Sequence, residues 1–109
     1  MGIEYRTHVS NVGWQNVVTD GQTSGDESQS NWIEAIQVKL SGDKASDYDI
    51  YYRSHVAEMG WLDWAKNGEL SGTQGYAYAV QAIQIVLVPK GSSAPGKTLV
   101  PFKTGTVNL

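Results

Sequence analysis

The 109-residue chain has no cysteine, so neither a disulfide framework nor a thiolate zinc site can be built from it. Its most apolar stretch, around Ile83 to Val88, is far shorter than the roughly 20 residues a membrane span needs. Only eight Lys and Arg stand against eleven Asp and Glu, a formal charge of −3. That balance excludes the clustered cationic surface on which nucleic-acid affinity rests. The opening Met1-Gly2-Ile3-Glu4-Tyr5 lacks the basic start and apolar core of a signal peptide, so any export signal is expected outside this stretch. Hydrophobic residues make up 40% of the chain, too many for a disordered segment, and the length suits one compact domain burying roughly two-thirds of its unfolded surface. Four Trp and six Tyr against a single Phe give it an aromatic content that is amphipathic, suited either to core anchors with a bonded polar tip or to exposed platforms.

Self-similarity is the strongest signal. Ile3–Leu40 superposes on Ile50–Leu87 at a constant offset of 47 without a gap. Arg6-Thr7-His8-Val9 matches Arg53-Ser54-His55-Val56, and Gly13-Trp14 matches Gly60-Trp61. Downstream, Asp20-Gly21 stands opposite Asn67-Gly68, Ser24-Gly25 opposite Ser71-Gly72, and Glu34-Ala35-Ile36-Gln37 opposite Gln81-Ala82-Ile83-Gln84. The chain therefore reads as a single domain of residues 1–109: repeat 1 (3–40), a connector (41–49), repeat 2 (50–87) and a tail (88–109) that holds all three prolines. Duplication of this kind predicts duplicated sites rather than one asymmetric centre.

Within each copy the hydrophobic period is two: Ile3, Tyr5, Thr7 and Val9 alternate with Glu4, Arg6 and His8, and Ile36, Val38 and Leu40 with Gln37 and Lys39. The Asp-Gly and Asn-Gly pairs suit turns with positive φ. No helix is predicted. The expected fold is all-β, two tandem pseudo-symmetric repeats of three or four short antiparallel strands, in a β-prism or β-trefoil-like arrangement. The polar connector is expected to join the last strand of repeat 1 and the first of repeat 2 as a hairpin. The tail, with three lysines and no acid, is expected to be extended, to pack late if at all, and to lie against a body whose net charge is −6.

The order His-Val-x-x-x-Gly-Trp, Asp/Asn-Gly, Ser-Gly and Glu/Gln-Ala-Ile resembles the clostridial hydrophobic repeats with a conserved tryptophan, called ChW repeats, over about 76 of the 109 residues. The resemblance implies a secreted or cell-surface module of Gram-positive bacteria that binds cell-wall or other polysaccharide, or a partner protein. Departures between the copies, Ser28 for Gly75, Gln81 for Glu34 and Val17 for Trp64, imply that the copies do not bind equally.

Each candidate ligand-binding residue has a structural reading beside the functional one. Trp14 and Trp61 could stack on a sugar ring, but a Trp after Gly in each copy reads first as the core plug of its repeat. Trp32, Trp64, Tyr76 and Tyr78 occur in one copy only and are the better surface candidates, so that Trp64→Ala or Tyr78→Ala should weaken binding while sparing stability. His8 and His55, on the polar parity of the first strand, could bond sugar hydroxyls or hold a neighbouring loop carbonyl. Asp20 and Asn67 could accept hydroxyl protons, or simply satisfy the turn before glycine. Glu34 is expected to be a partly buried acid paired with Arg6 or Arg53.

No nucleophile elbow or phosphate-cradling motif is present, and the carboxylates Asp43, Asp47 and Asp49 lack the spacing of a calcium hand. The expectation is thus a non-enzymatic, lectin-like module without metal or cofactor, whose partner is a polysaccharide or peptidoglycan-type glycan. The alternative is a protein-interaction or self-assembly module, possible as a homo-oligomer, built on the unmatched aromatics.

Overall fold

The computed structural model describes residues 1–105. Ten strands follow one another as β1 (Gly2–Val9), β2 (Gly13–Trp14), β3 (Val18–Thr19), β4 (Ile33–Ser41), β5 (Tyr48–Val56), β6 (Gly60–Trp61), β7 (Ala65–Lys66), β8 (Leu70–Gln74), β9 (Val80–Pro89) and β10 (Phe102–Thr104). A single 3-10 turn, Ala45–Asp47, interrupts them. The chain is all-β, and among the described residues its two sheets do not close into a barrel.

The duplication is carried into the register. In repeat 1 the long strands β1 and β4 pair antiparallel from Gly2↔Ser41 to His8↔Ala35, with β2 and β3 along the other edge of β1. In repeat 2, β5 and β9 pair from Asp49↔Val88 to His55↔Ala82, with β6 and β7 in the equivalent places. Even the irregularity recurs: the register slips between His8 and Val9 and again between His55 and Val56, leaving Glu34 and Gln81 as the extra residue of a bulge.

The turns that follow β3 and β7 are set by their residues. Asp20 and Gly21 hold φ of 45° and 89°, and Asn67 and Gly68 hold 46° and 93°, the paired positive values of a type I′ turn. Asp20 Oδ1 accepts the Ile3 N–H at 2.9 Å and Asn67 Oδ1 the Ile50 N–H at 2.8 Å, pinning each turn to its first strand.

The repeats meet where β4 presses on β5. Ile36, Val38, Ile50, Tyr52 and Ala65 form the buried cluster, with Ile3, Tyr5, Ile33 and Leu40 half-buried around it. Strand β8 of repeat 2 crosses over to add to β4 of repeat 1, in the register Ala35↔Gly72, Ile36↔Ser71 and Gln37↔Leu70. A Cβ at Gly72 would lie 2.5 Å from the Glu34 carbonyl oxygen and 2.7 Å from Ala35 Cα, so only glycine permits this approach. Tyr52, fully buried, donates its hydroxyl to the Glu69 carbonyl and accepts the Val38 N–H at 3.1 Å. Burial pushes that hydroxyl up to about 12.

Two expectations about the connections are corrected. Strands β4 and β5 do not form a hairpin: they belong to different sheets, and their side chains meet in the buried cluster instead. The reason is that both lateral edges of β4 are already taken, by β1 and β8. The tail does pack. Its β10 runs parallel to β8 with Phe102↔Gly72 and Thr104↔Gln74, and its backbone bonds Asp63 and Trp64. Lys90, at its start, lies 3.5 Å from Asp49. Asp49 is fully buried and also meets Lys66, the Asn67 amide and the Gly91 N–H. These donors, the Asn67 side chain first, hold its carboxyl down to about 2.

Candidate functional site

Strand pairing decides which face each candidate occupies. Directly opposed residues of an antiparallel pair share a face, so His8↔Trp14 and Arg6↔Gln37 set all four on the polar side of β1. His55↔Trp61 and Arg53↔Gln84 do the same in repeat 2. The repeated tryptophans therefore lie outside the core. Trp61 keeps 40% of its surface exposed, and Trp14 is half-buried. The reading of both as core plugs is corrected: a two-residue strand hydrogen-bonded opposite a histidine on the polar parity cannot turn its side chain inward.

The surroundings of each Trp are the same in both copies. The Arg6 guanidinium carbon sits 4.6 Å from the Trp14 ring centre, and Arg53 sits 4.6 Å from Trp61. His8 meets Trp14 edge-on at 5.3 Å and His55 meets Trp61 at 5.2 Å. Each arginine is oriented from its opposite strand, Arg6 Nε donating to Gln37 Oε1 at 2.5 Å and Arg53 Nε to Gln84 Oε1 at 2.6 Å. Each histidine is held through Nδ1, at 3.0 Å from Glu34 Oε1 or 2.9 Å from Gln81 Oε1. Thus the histidines bond side chains rather than the loop carbonyls expected, and Glu34 pairs with His8 rather than with an arginine. Simple alternation would set Glu34 on the side of Ile36, and the bulge rotates it toward His8.

The copies differ beside the arginine. In repeat 1, Glu4, Tyr5, Arg6, Val17, Gln37 and Lys39 line an open hollow of about 290 Å³. In repeat 2 the position of Val17 is Trp64, which takes the other side of Arg53 at 4.9 Å. Trp64 is only 7% exposed and its backbone N–H is bonded to the tail at the Lys97 carbonyl. The tail at Gly96 covers its indole, so Trp64 is a packing residue and its reading as a surface aromatic is corrected. A second open depression, about 420 Å³, is lined by Trp14 with Val12, Gln15, Asn16 and Val18.

The remaining candidates sit elsewhere. Trp32 is 44% exposed just before β4, its backbone held by Ser10. Tyr76 and Tyr78 stack on each other at 5.5 Å, with Tyr76 bonded to the Thr104 carbonyl of the tail. Asp20 and Asn67 are spent on their turns at the opposite end of the first strands. Gln37 and Gln84 were not singled out from the sequence, although their recurrence on the polar parity opposite an arginine was the available signal.

The fold and this twice-built cluster define a tandem-repeat β module carrying one aromatic and polar patch per repeat. The family model described as Clostridial hydrophobic W matches residues 8–42 and 55–89, and the chain belongs to that family as two tandem ChW copies. A search of curated proteins and a search of solved structures each found no match.

Proposed function

We propose that the chain is a non-catalytic glycan-binding module that recognises bacterial cell-wall or surface polysaccharide through one shallow site per repeat. The observation that carries this reading is the Arg–Trp–His–Gln cluster itself, reproduced at matching distances on the outer face of both repeats. Packing does not call for it, since the polar face of each sheet could be finished with any charged residues. A half-exposed indole offers an apolar plane for a pyranose, while the arginine, glutamine and histidine around it are planar hydrogen-bonding groups fixed in orientation before ligand arrives. Shallow sites of this sort are individually weak, and two on one rigid body bind a polymer with avidity. Such a polymer places the working module outside the cell. The copies are unequal: repeat 1 presents the open hollow beside Arg6, where repeat 2 has Trp64.

The test is retention of the chain on Gram-positive cell walls, compared for wild type, Trp14→Ala, Trp61→Ala and the double variant, each checked for unaltered unfolding. Each single variant is expected to reduce retention several-fold and the double variant to abolish it. Undiminished retention of the double variant would overturn the assignment.

A further inference from the structure

The contact between the two repeats is a complete docking junction, and among the described residues both halves of it recur without such a partner, on the walls of one groove. On the donor side, repeat 2 supplies Tyr52, Gly68, Ser71 and Gly72. The Gly68 N–H bonds the Val38 carbonyl at 2.7 Å, the Gly68 carbonyl accepts Gln37 Nε2 at 2.7 Å, and Ser71 and Gly72 pair with Ile36 and Ala35. On the acceptor side, repeat 1 supplies Ala35, Ile36, Gln37 and Val38 from β4.

The corresponding donor residues of repeat 1 are Tyr5, Gly21, Ser24 and Gly25, identical in type at all four positions. The corresponding acceptor residues of β9 are Ala82, Ile83, Gln84 and Ile85, identical at three and conservative at the fourth. Gly25 already holds φ of 127°, close to the 118° of the docked Gly72. Tyr5 already donates to the Gln22 carbonyl as Tyr52 does to Glu69, and no backbone N–H comparable to that of Val38 reaches it among the described residues.

The cost of leaving this junction open is visible in exposure. Ile36 and Val38 are 8% and 5% exposed, whereas their equivalents Ile83 and Ile85 are 49% and 47% exposed. Among the described residues β9 is paired only with β5, leaving a ten-residue apolar strand with a free edge. Ile83 and Ile85 line one wall of an apolar groove of about 350 Å³, whose other wall carries Ile3, Tyr5 and Ser24.

We infer that the occupant of this edge is a second copy of the chain, whose Thr23–Gly25 segment adds to β9 in the inherited register Ala82↔Gly25, Ile83↔Ser24 and Gln84↔Thr23. Gly21 and Tyr5 of the incoming copy then meet the Ile85 backbone as Gly68 and Tyr52 meet Val38. The contact joins two different surfaces of the same chain, so one copy's donor edge meets the other's acceptor edge. It involves neither Trp14 nor Trp61 and does not rest on the glycan reading.

Sedimentation of the intact chain between about 5 and 500 μM tests this, alongside two blocked forms: Ile83→Lys, which charges the acceptor edge, and Gly25→Val, whose side chain meets the neighbour's backbone as a Cβ at Gly72 would. Wild type is expected to gain mass with concentration, and each blocked form alone to lose at least tenfold in association. Their equimolar mixture is expected to recover association, because one intact donor edge and one intact acceptor edge remain. Ser24→Pro replaces Gly25→Val if circular dichroism shows that variant unfolded, since the equivalent Ser71 is the residue whose backbone faces β4, Gly72 being bonded to the other side, and proline removes that N–H. A wild-type chain monomeric at 500 μM, unchanged association in both blocked forms, or a mixture no larger than its components would each overturn the inference.

Discussion

Replacing Tyr52 by phenylalanine removes one oxygen that serves both repeats at once. The hydroxyl donates to the Glu69 carbonyl and accepts the Val38 N–H in a site where the side chain is fully buried. Orphaning the buried Val38 N–H costs about 1–3 kcal/mol, and losing the bond to Glu69 a further 0.5–1.5 kcal/mol or so. The expected destabilisation of Tyr52→Phe is therefore about 2–4 kcal/mol. With a urea m value of roughly 1–3 kcal/mol/M, the unfolding midpoint falls by on the order of 1–2 M. Tyr5→Phe is the internal control: the same bond to a turn carbonyl is made by a half-buried ring, so the cost should stay below about 1 kcal/mol.

The alkaline limb supplies a second readout. Folding raises the Tyr52 hydroxyl from 10.0 to about 12, so between those values the unfolded chain has released a proton that the folded one keeps. Stability is then lost as pH rises, by up to about 1.4 kcal/mol per unit, and this component should vanish in Tyr52→Phe. Equal costs for the two phenylalanine variants, or an unchanged alkaline limb, would refute the claim that this hydroxyl locks the junction.

Further outcomes follow from the other buried groups. Asp49 has its carboxyl lowered from 3.8 to about 2, so its contribution is complete above the ordinary carboxylate range and disappears as pH falls from about 4 to about 2. The stability gap between wild type and Asp49→Asn should accordingly close over that interval in acid titrations followed by circular dichroism. Trp64→Ala should cost about 3–5 kcal/mol and expose the tail to proteolysis, as removal of a large buried ring does. Trp32→Ala, at a 44% exposed position, should change stability by about 0.5 kcal/mol or less in the same denaturation assay.

What the sequence made legible was whatever depends on local pattern. The offset of 47, the period-two strands and the Asp-Gly and Asn-Gly turns recur in the structure at the places read from the residues. What it hid depends on pairing between distant segments. Gly13-Trp14 is too short to show a period, so only its pairing with His8 reveals that Trp14 faces outward. The bulge that turns Glu34 toward His8 is invisible to strand parity, which counts every residue as alternating. Trp64 looked exposed because it breaks the repeat, yet that break is matched by the tail, which has no counterpart in repeat 1 and docks through long-range bonds. Likewise, the connector looked like a hairpin because nothing local announces that β8 claims the free edge of β4.

The central claim, that the paired Arg–Trp–His–Gln clusters bind glycan, is tested most directly by the four indole N–H resonances of the intact chain. These would be followed by proton–nitrogen correlation while soluble polysaccharide released from Gram-positive cell walls is added. The account predicts that the Trp14 and Trp61 signals move, with unequal affinities, while the buried Trp64 signal stays in place. Signals from Trp14 and Trp61 that remain fixed at saturating polysaccharide would contradict it.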